Sequence, residues 1–196
     1  MFDLTLESLI KPHGLDHFFE TYFEQAPLLI QRLDRQYYSG VLSVDDFDRL
    51  LGRRDFTPKD ARVANALNPV ETSDYVGPDG FVDTDCLLRL YEDGSTIILN
   101  HVHRYHQPVA ELCASLGLTF GAPFQTNAYL TPASAQGFRP HFDTHDVFAL
   151  QIEGSKTWKL YDTAVELAVK GHKAQTRQDD PGEPSQVIDL QAGDTL

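Results

Sequence analysis

The sequence predicts a mainly β domain with a helical cap, in which helices precede a mostly antiparallel barrel or sandwich. Three observations lead there. Apolar residues recur at helical spacing through the first 117 residues, the period drops to two from about Phe124, and the glycine and proline punctuation changes at the same place. With 196 residues and 41% hydrophobic content, the chain suffices for one substantial core. The expectation is a single structural domain, with the helical cap and first strands in 1–117 and the barrel core in 118–196.

In "LDHFFETYFEQAP", Leu15, Phe18, Phe19, Tyr22 and Phe23 draw one stripe down a helix that Pro27 should end. Leu28 to Ile30 read as a short strand. Ser43, three residues before Asp46, resembles a capping box, and Val44, Phe47, Leu50 and Leu51 form the inward face of a second helix closed by Gly52. "DTDCLLRLYEDG" reads as a third helix stopped by Gly94, with a strand from Ser95 to Leu99. Pro108 opens a fourth, with Val109, Leu112, Cys113 and Leu116 at helical spacing and Gly117 as its C-cap. Residues 125–131 then read as a strand, 139–161 as a long β-hairpin turning at Glu153 to Ser155, 164–182 as a polar exposed excursion, and "SQVIDLQAGDTL" as a strand, a turn and the start of another strand.

The formal charge of −13 argues against tracking a phosphate backbone and favours a basic protein or peptide partner. No apolar run reaches the roughly 18 residues needed to span a bilayer, and the N-terminus lacks a basic, apolar leader. A cytoplasmic protein is expected. Cys86 and Cys113 lie in predicted helices and outside any CxxC or zinc spacing, so they read as packed thiols.

Chemistry concentrates in "RPHFDTHDVFALQIEGSKTWKLY". On an extended strand His141 and Asp143 project the same way with Cβ atoms roughly 6.5 Å apart, so both reach one metal ion. His145 has the same parity but lies about 13 Å from His141, too far to share that ion. One histidine and one carboxylate are two-thirds of the facial triad that holds non-haem Fe(II) with positions left open. Past the turn, Lys156, Trp158 and Leu160 share a face, which points Lys156 into the barrel, where an ammonium requires an anionic partner. A slipped register would instead leave Lys156 in solvent. "NHVHRYH" brings His101, His103 and His106 together in sequence, but it lies where a strand gives way to a helix, so the rings should diverge.

These residues carry a resemblance. "NAYLTPASAQGFRPHFDTHDVFALQIEGSKTWKLY", with "FFETYFEQAPLLIQR", "ILNHVHRYHQPVAELCASLGLTFG" and "LQAGDTL", resembles the JmjC-type, cupin-fold Fe(II)/2-oxoglutarate oxygenases of the ribosomal-oxygenase group. The resemblance covers most of the chain. It implies a double-stranded β-helix fold and a hydroxylase of arginine or histidine side chains in ribosomal proteins. It also implies iron on His141 and Asp143, the far carboxylate of 2-oxoglutarate on Lys156, and a pocket lined by Asn127 and Tyr129. The family's second iron-binding histidine follows a pattern like G-D-x-L-Y-x-P-x-G-x-x-H, and the chain reaches Leu196 inside that match. The expectation is therefore a truncated barrel without the distal histidine: either a fragment or an incomplete site. His172 is the one later histidine that could substitute for it. A homodimer through segments absent from this chain is a further implication. Two rival functions stand beside the oxygenase: a metal-dependent cupin dioxygenase or isomerase that does not use 2-oxoglutarate, and a non-catalytic interaction module.

Overall fold

A computed structural model describes residues 4–162, 167–169 and 182–196. His172 and most of the polar excursion lie outside the described residues. The chain forms two compact units, one of Met1–Ser43 with Pro140–Leu196 and the other of Val44–Arg139.

In the unit spanning 44–139, three strands form an antiparallel sheet in the order β1 (Ala61–Ala64), β2 (Thr96–Leu99), β3 (Ala128–Leu130). The central strand reads "TIIL" and is buried along its whole length, with Ile97 and Ile98 at 0% exposure. Covered on both faces, it needs no polar alternation, and each of these side chains contributes about 1.5–3 kcal/mol by leaving water. The edge strand β1, "ARVA", alternates buried and half-buried over only four residues, too short for its period to stand out in sequence. Helix α3 (Val44–Leu51) buries Phe47, Leu50 and Leu51, the face its spacing predicts. Helix α4 (Thr84–Glu92) starts at Asp83, whose carboxylate accepts the Cys86 N–H at 3.0 Å, and that bond first of all lowers the acid's pKa.

The last helix of this unit, α5 (Gln107–Phe120), opens with Pro108 in its first turn and buries Val109, Leu112, Cys113 and Leu116. It does not stop at Gly117. It continues one turn further to a left-handed cap at Gly121, φ +64°. Gly117 serves packing instead, since a Cβ there would stand 3.2 Å from the Ala122 carbonyl oxygen. Cys86 and Cys113 are free thiols, as expected. Cys113 is buried, which raises its pKa and keeps it protonated, and its sulfur lies 3.0 Å from Thr126 Oγ1.

The other unit begins with α1 (Leu6–Ile10), which the sequence reading did not identify; it buries Leu6, Leu9 and Ile10. Helix α2 (Leu15–Thr21) ends well before Pro27, because Phe23 N–H reaches back to Phe18 O and Glu24 adopts φ +57°. Its aromatic stripe survives as ring contacts, edge-to-face for Phe18–Phe19 at 5.2 Å and Phe19–Phe23 at 5.6 Å, with Phe18 tilted against Phe148 at 6.3 Å.

The long hairpin does not form. Instead β4 (Ser155–Leu160) pairs antiparallel with β5 (Gln186–Gln191), from Ser155↔Gln191 to Leu160↔Gln186. Residues 149–151 pair with the same C-terminal segment, through Ala149 N–H to Leu196 O at 2.7 Å, its reciprocal at 3.0 Å, and Gln151 N–H to Asp194 O at 3.0 Å. The turn at Gly154, φ +64°, bends one continuous arm without folding it back on itself. Alternation had shown that the arm is extended, but alternation does not name a partner. Leu28 to Ile30 likewise contribute one bridge, Ile30↔Thr195, with Leu150 bridging Thr195 as well.

"AGDT" holds this C-terminal segment in place. The buried Asp194 carboxylate accepts N–H groups from Arg32 at 2.8 Å and Gln191 at 2.9 Å. The Arg32 guanidinium donates to Gly193 O, Thr195 Oγ1, Tyr38 Oη, Ser8 O and Leu9 O, and lies 4.3 Å from the centre of the Tyr37 ring. Gly193 sits at φ +91°, and a Cβ there would fall 2.2 Å from Asp34 O. Gly193→Ala is therefore expected to destabilise the fold by about 3 kcal/mol or more, since both conformation and space oppose it. Thermal unfolding should show the midpoint falling by roughly 6–12 °C.

Candidate functional site

His141 and Asp143 lie outside any strand, since no residue from 140 to 148 belongs to one. Their parity nevertheless persists: His141, Asp143 and His145 are exposed while Phe142 and Thr144 between them are half-buried. Both donor side chains are therefore open to solvent. Imidazole and carboxylate together suit Fe(II). Among the described residues no group of three His, Cys, Asp or Glu side chains is placed to hold a metal.

The β4–β5 register settles which way Lys156 faces. Its cross-strand partner is Leu190 and that of Trp158 is Ile188, and both partners are buried, whereas Val187 and Asp189 on the opposite face are exposed. Thr157 Oγ1 donates to Asp189 on that outer face at 2.5 Å. Lys156 therefore belongs to the inner face, as parity predicts. Lys156 itself is exposed; its ammonium lies 5.6 Å from the Trp158 ring centre, and partial desolvation there lowers its pKa.

That shift has a consequence for pH. A bound carboxylate favours the charged ammonium, so binding of an acid at Lys156 should weaken as pH rises through the lysine's lowered pKa, earlier than an ordinary lysine would dictate. Folding responds with the opposite sign. The lowered pKa is a desolvation penalty, present in full below the folded-state pKa and relieved as pH rises toward the unfolded value. Calorimetric titration of an acid across alkaline pH checks the first expectation, and Lys156→Met should abolish the slope.

Trp158 adds a feature invisible in sequence. Its Nε1 is buried and lacks a hydrogen-bond partner among the described residues.

Asn127 and Tyr129 stand in the other compact unit. Asn127 Oδ1 accepts the His101 N–H at 3.0 Å, which fixes the amide and leaves its Nδ2 hydrogens as the end able to meet a ligand. Tyr129 is 48% exposed on β3, opposite Ile98, with its ring 6.1 Å from that of Phe138. Thr131, of the same parity, pairs hydroxyls with Thr96 at 3.0 Å.

The rings of the histidine-rich stretch do not all diverge as expected: those of His101 and His103 meet edge-on, 6.0 Å between centres. His101 occupies a left-handed conformation, φ +55°, ahead of a 3-10 turn over Val102–Arg104. His103 Nδ1 accepts the Thr126 N–H at 3.3 Å, which occupies one ring nitrogen; burial foremost, then His101 and Arg104, lowers its pKa. Tyr105 donates to Asp60 at 2.7 Å, a bond across 45 positions that no local pattern announces.

Residues 100–196 match the family model described as the JmjC domain. The chain is a JmjC-type, ribosomal-oxygenase-like protein. It is 33% identical over 197 residues to the bifunctional lysine-specific demethylase and histidyl-hydroxylase NO66 of Dictyostelium discoideum, covering 99% of this chain and 38% of that protein. It is 34% identical over 198 residues to ribosomal oxygenase 2 of Mus musculus, covering 97% and 41%. The structure of YcfD, a ribosomal oxygenase from Escherichia coli, matches with TM-score 0.55 at 18% identity over 94% of this chain and 44% of that one. A second structure of E. coli ycfD gives 0.59 at 18% identity, over 93% and 46%. The structural likeness shows the fold, a JmjC cupin, as the sequence predicts. The chain spans less than half the length of these relatives. Among the described residues no helix is long and apolar enough to cross a membrane.

Proposed function

We propose that this JmjC chain carries most of the active site of a protein hydroxylase dependent on Fe(II) and 2-oxoglutarate. His141 and Asp143 would hold the metal and Lys156 the far carboxylate of the co-substrate. The observation that supports the proposal is the strand register: the segment carrying His141 and Asp143 leads into β4, where Lys156 pairs with buried Leu190 and so lies on the same face as Trp158. Similarity to proteins named as oxygenases and histidyl-hydroxylases, over nearly all of this chain, supports the same assignment. Together Fe(II) and 2-oxoglutarate supply oxygen activation, inserting one oxygen atom into a C–H bond.

This chain's own residues orient and exclude. Lys156, anchored on the inner face of β4, fixes one end of the keto acid so that its other end meets the His141–Asp143 side in a single pose. Phe142 and Phe148 are both half-buried, and Phe148 packs against Phe18 with ring centres 6.3 Å apart. The family resemblance alone assigns co-substrate contact to Asn127 and Tyr129. The third metal donor is assigned to a strand following Leu196, in the antiparallel register that Ala149 and Leu196 establish. An ammonium on the face of Trp158 suits the carboxylate of a keto acid, which favours the 2-oxoglutarate-dependent assignment over that rival.

The net charge of −13 favours a basic protein substrate, in keeping with ribosomal-protein side chains. Free thiols and the absence of a disulfide among the described residues suit a cytoplasmic setting. The test is oxygen-dependent release of succinate and CO2 by a chain extended past Leu196, coupled to a one-oxygen mass gain on a basic ribosomal-protein peptide. Succinate formed without 2-oxoglutarate-dependent peptide oxidation would remove the substrate assignment; no consumption of 2-oxoglutarate would remove the oxygenase assignment.

A further inference from the structure

The search for chemistry outside the assigned roles ends at Trp158. Its indole N–H is buried without an acceptor among the described residues, and a buried donor left unmet costs about 1–3 kcal/mol, so such groups are rare unless something else satisfies them. Its place in the register is equally specific. Trp158 is two residues from Lys156 on the inner face of β4, over buried Ile188, while Lys156 stands over buried Leu190. The Lys156 ammonium lies 5.6 Å from the indole ring centre. Two donors, one cationic and one neutral, thus share a patch of inner face on which the described residues offer the indole no acceptor.

We infer that Trp158 Nε1–H is a second co-substrate donor, which together with Lys156 grips one carboxylate of the keto acid. Resting on the proposed function, the inference adds a positioning group to it. The chemistry fits a carboxylate: its two oxygens each accept at about 2.8 Å, so one oxygen takes the ammonium and the other the indole hydrogen. A lone ammonium is a point charge that leaves the carboxylate free to swivel, whereas an in-plane N–H fixed by the packed ring removes that freedom. Tryptophan at 158 accordingly supplies both apolar packing and an oriented donor. Phenylalanine would supply only the first.

Because Trp158 is the sole tryptophan in the chain, its indole gives a single resonance in an 1H–15N spectrum, and that resonance reports on this atom alone. The labelled full chain is titrated with 2-oxoglutarate in the presence of Zn(II), a diamagnetic stand-in for Fe(II), with calorimetry run in parallel. The indole proton is expected to move downfield and saturate at the calorimetric midpoint. Trp158→Phe, checked for folding by circular dichroism, is expected to weaken 2-oxoglutarate about tenfold. Calorimetric binding that depends on Lys156 while the indole resonance stays still, or while Trp158→Phe binds as tightly as wild type, would overturn the inference and leave the proposed function standing. No 2-oxoglutarate binding, in this chain or in one extended past Leu196, would overturn both.

Discussion

Replacing Lys156 with methionine is expected to weaken 2-oxoglutarate by about 30- to 150-fold and to leave the fold intact. The magnitude follows from the interaction. A charge-assisted hydrogen bond between a desolvated ammonium and a carboxylate contributes about 2–3 kcal/mol, and each 1.4 kcal/mol is tenfold in affinity. The fold is spared because Lys156 is exposed and methionine keeps the stem that lies across from Leu190. Lys156→Arg should retain part of the binding, since charge survives while the planar fork is longer than the ammonium it replaces. Calorimetry on the three proteins checks the series. Equal affinity for methionine and lysine would show that the inner-face ammonium does not meet the co-substrate.

His141→Ala and Asp143→Ala should each reduce Fe(II) affinity by at least about 100-fold, because losing even an outer-shell partner of a metal ligand costs about 10- to 100-fold and these residues are assigned direct contact. Stability without metal should hardly change. Both side chains are exposed and lie outside any strand, and surface substitutions of that kind fall within about 0.5 kcal/mol. Asp143→Asn discriminates further, keeping shape while removing the anionic donor. His145→Ala serves as the control: it has the same parity and exposure but lies too far along the arm to share the ion, so metal affinity should stay at the wild-type level. Equal losses at 141 and 145 would mean that the arm binds metal by a different pairing.

Much of this was legible because the signals are local. The stripes of α3 and α5 and the apolar run of β2 each follow from a period and its burial, and the inward face of Lys156 followed from counting in twos. What was not legible depends on partners distant in sequence. The arm 149–160 looked like a hairpin because Gly154 sits where a turn should be, yet its hydrogen bonds go to 186–196. Gly117 looked like a cap because a helix of ordinary length could end there, but the close approach of Ala122 explains that glycine and the left-handed residue is Gly121. Within the candidate site, residue type pointed to His141, Asp143 and Lys156. The task of Asn127 Oδ1 on the His101 backbone, and the orphaned Trp158 N–H, required coordinates, since neither hydrogen-bond accounting nor burial can be read from letters.

The central claim is that one inner surface presents a metal-binding pair and a carboxylate-binding cation to the same small molecule. Anaerobic addition of Fe(II) and then 2-oxoglutarate, followed by visible absorption, tests it directly, because the metal-to-ligand charge-transfer band arises only when the keto acid chelates iron held by the protein. The chain extended past Leu196 is expected to develop that band stoichiometrically, with the band lost in His141→Ala and Asp143→Ala and shifted to higher 2-oxoglutarate concentration in Lys156→Met. An extended chain that stays colourless, or a band indifferent to all three substitutions, would contradict it.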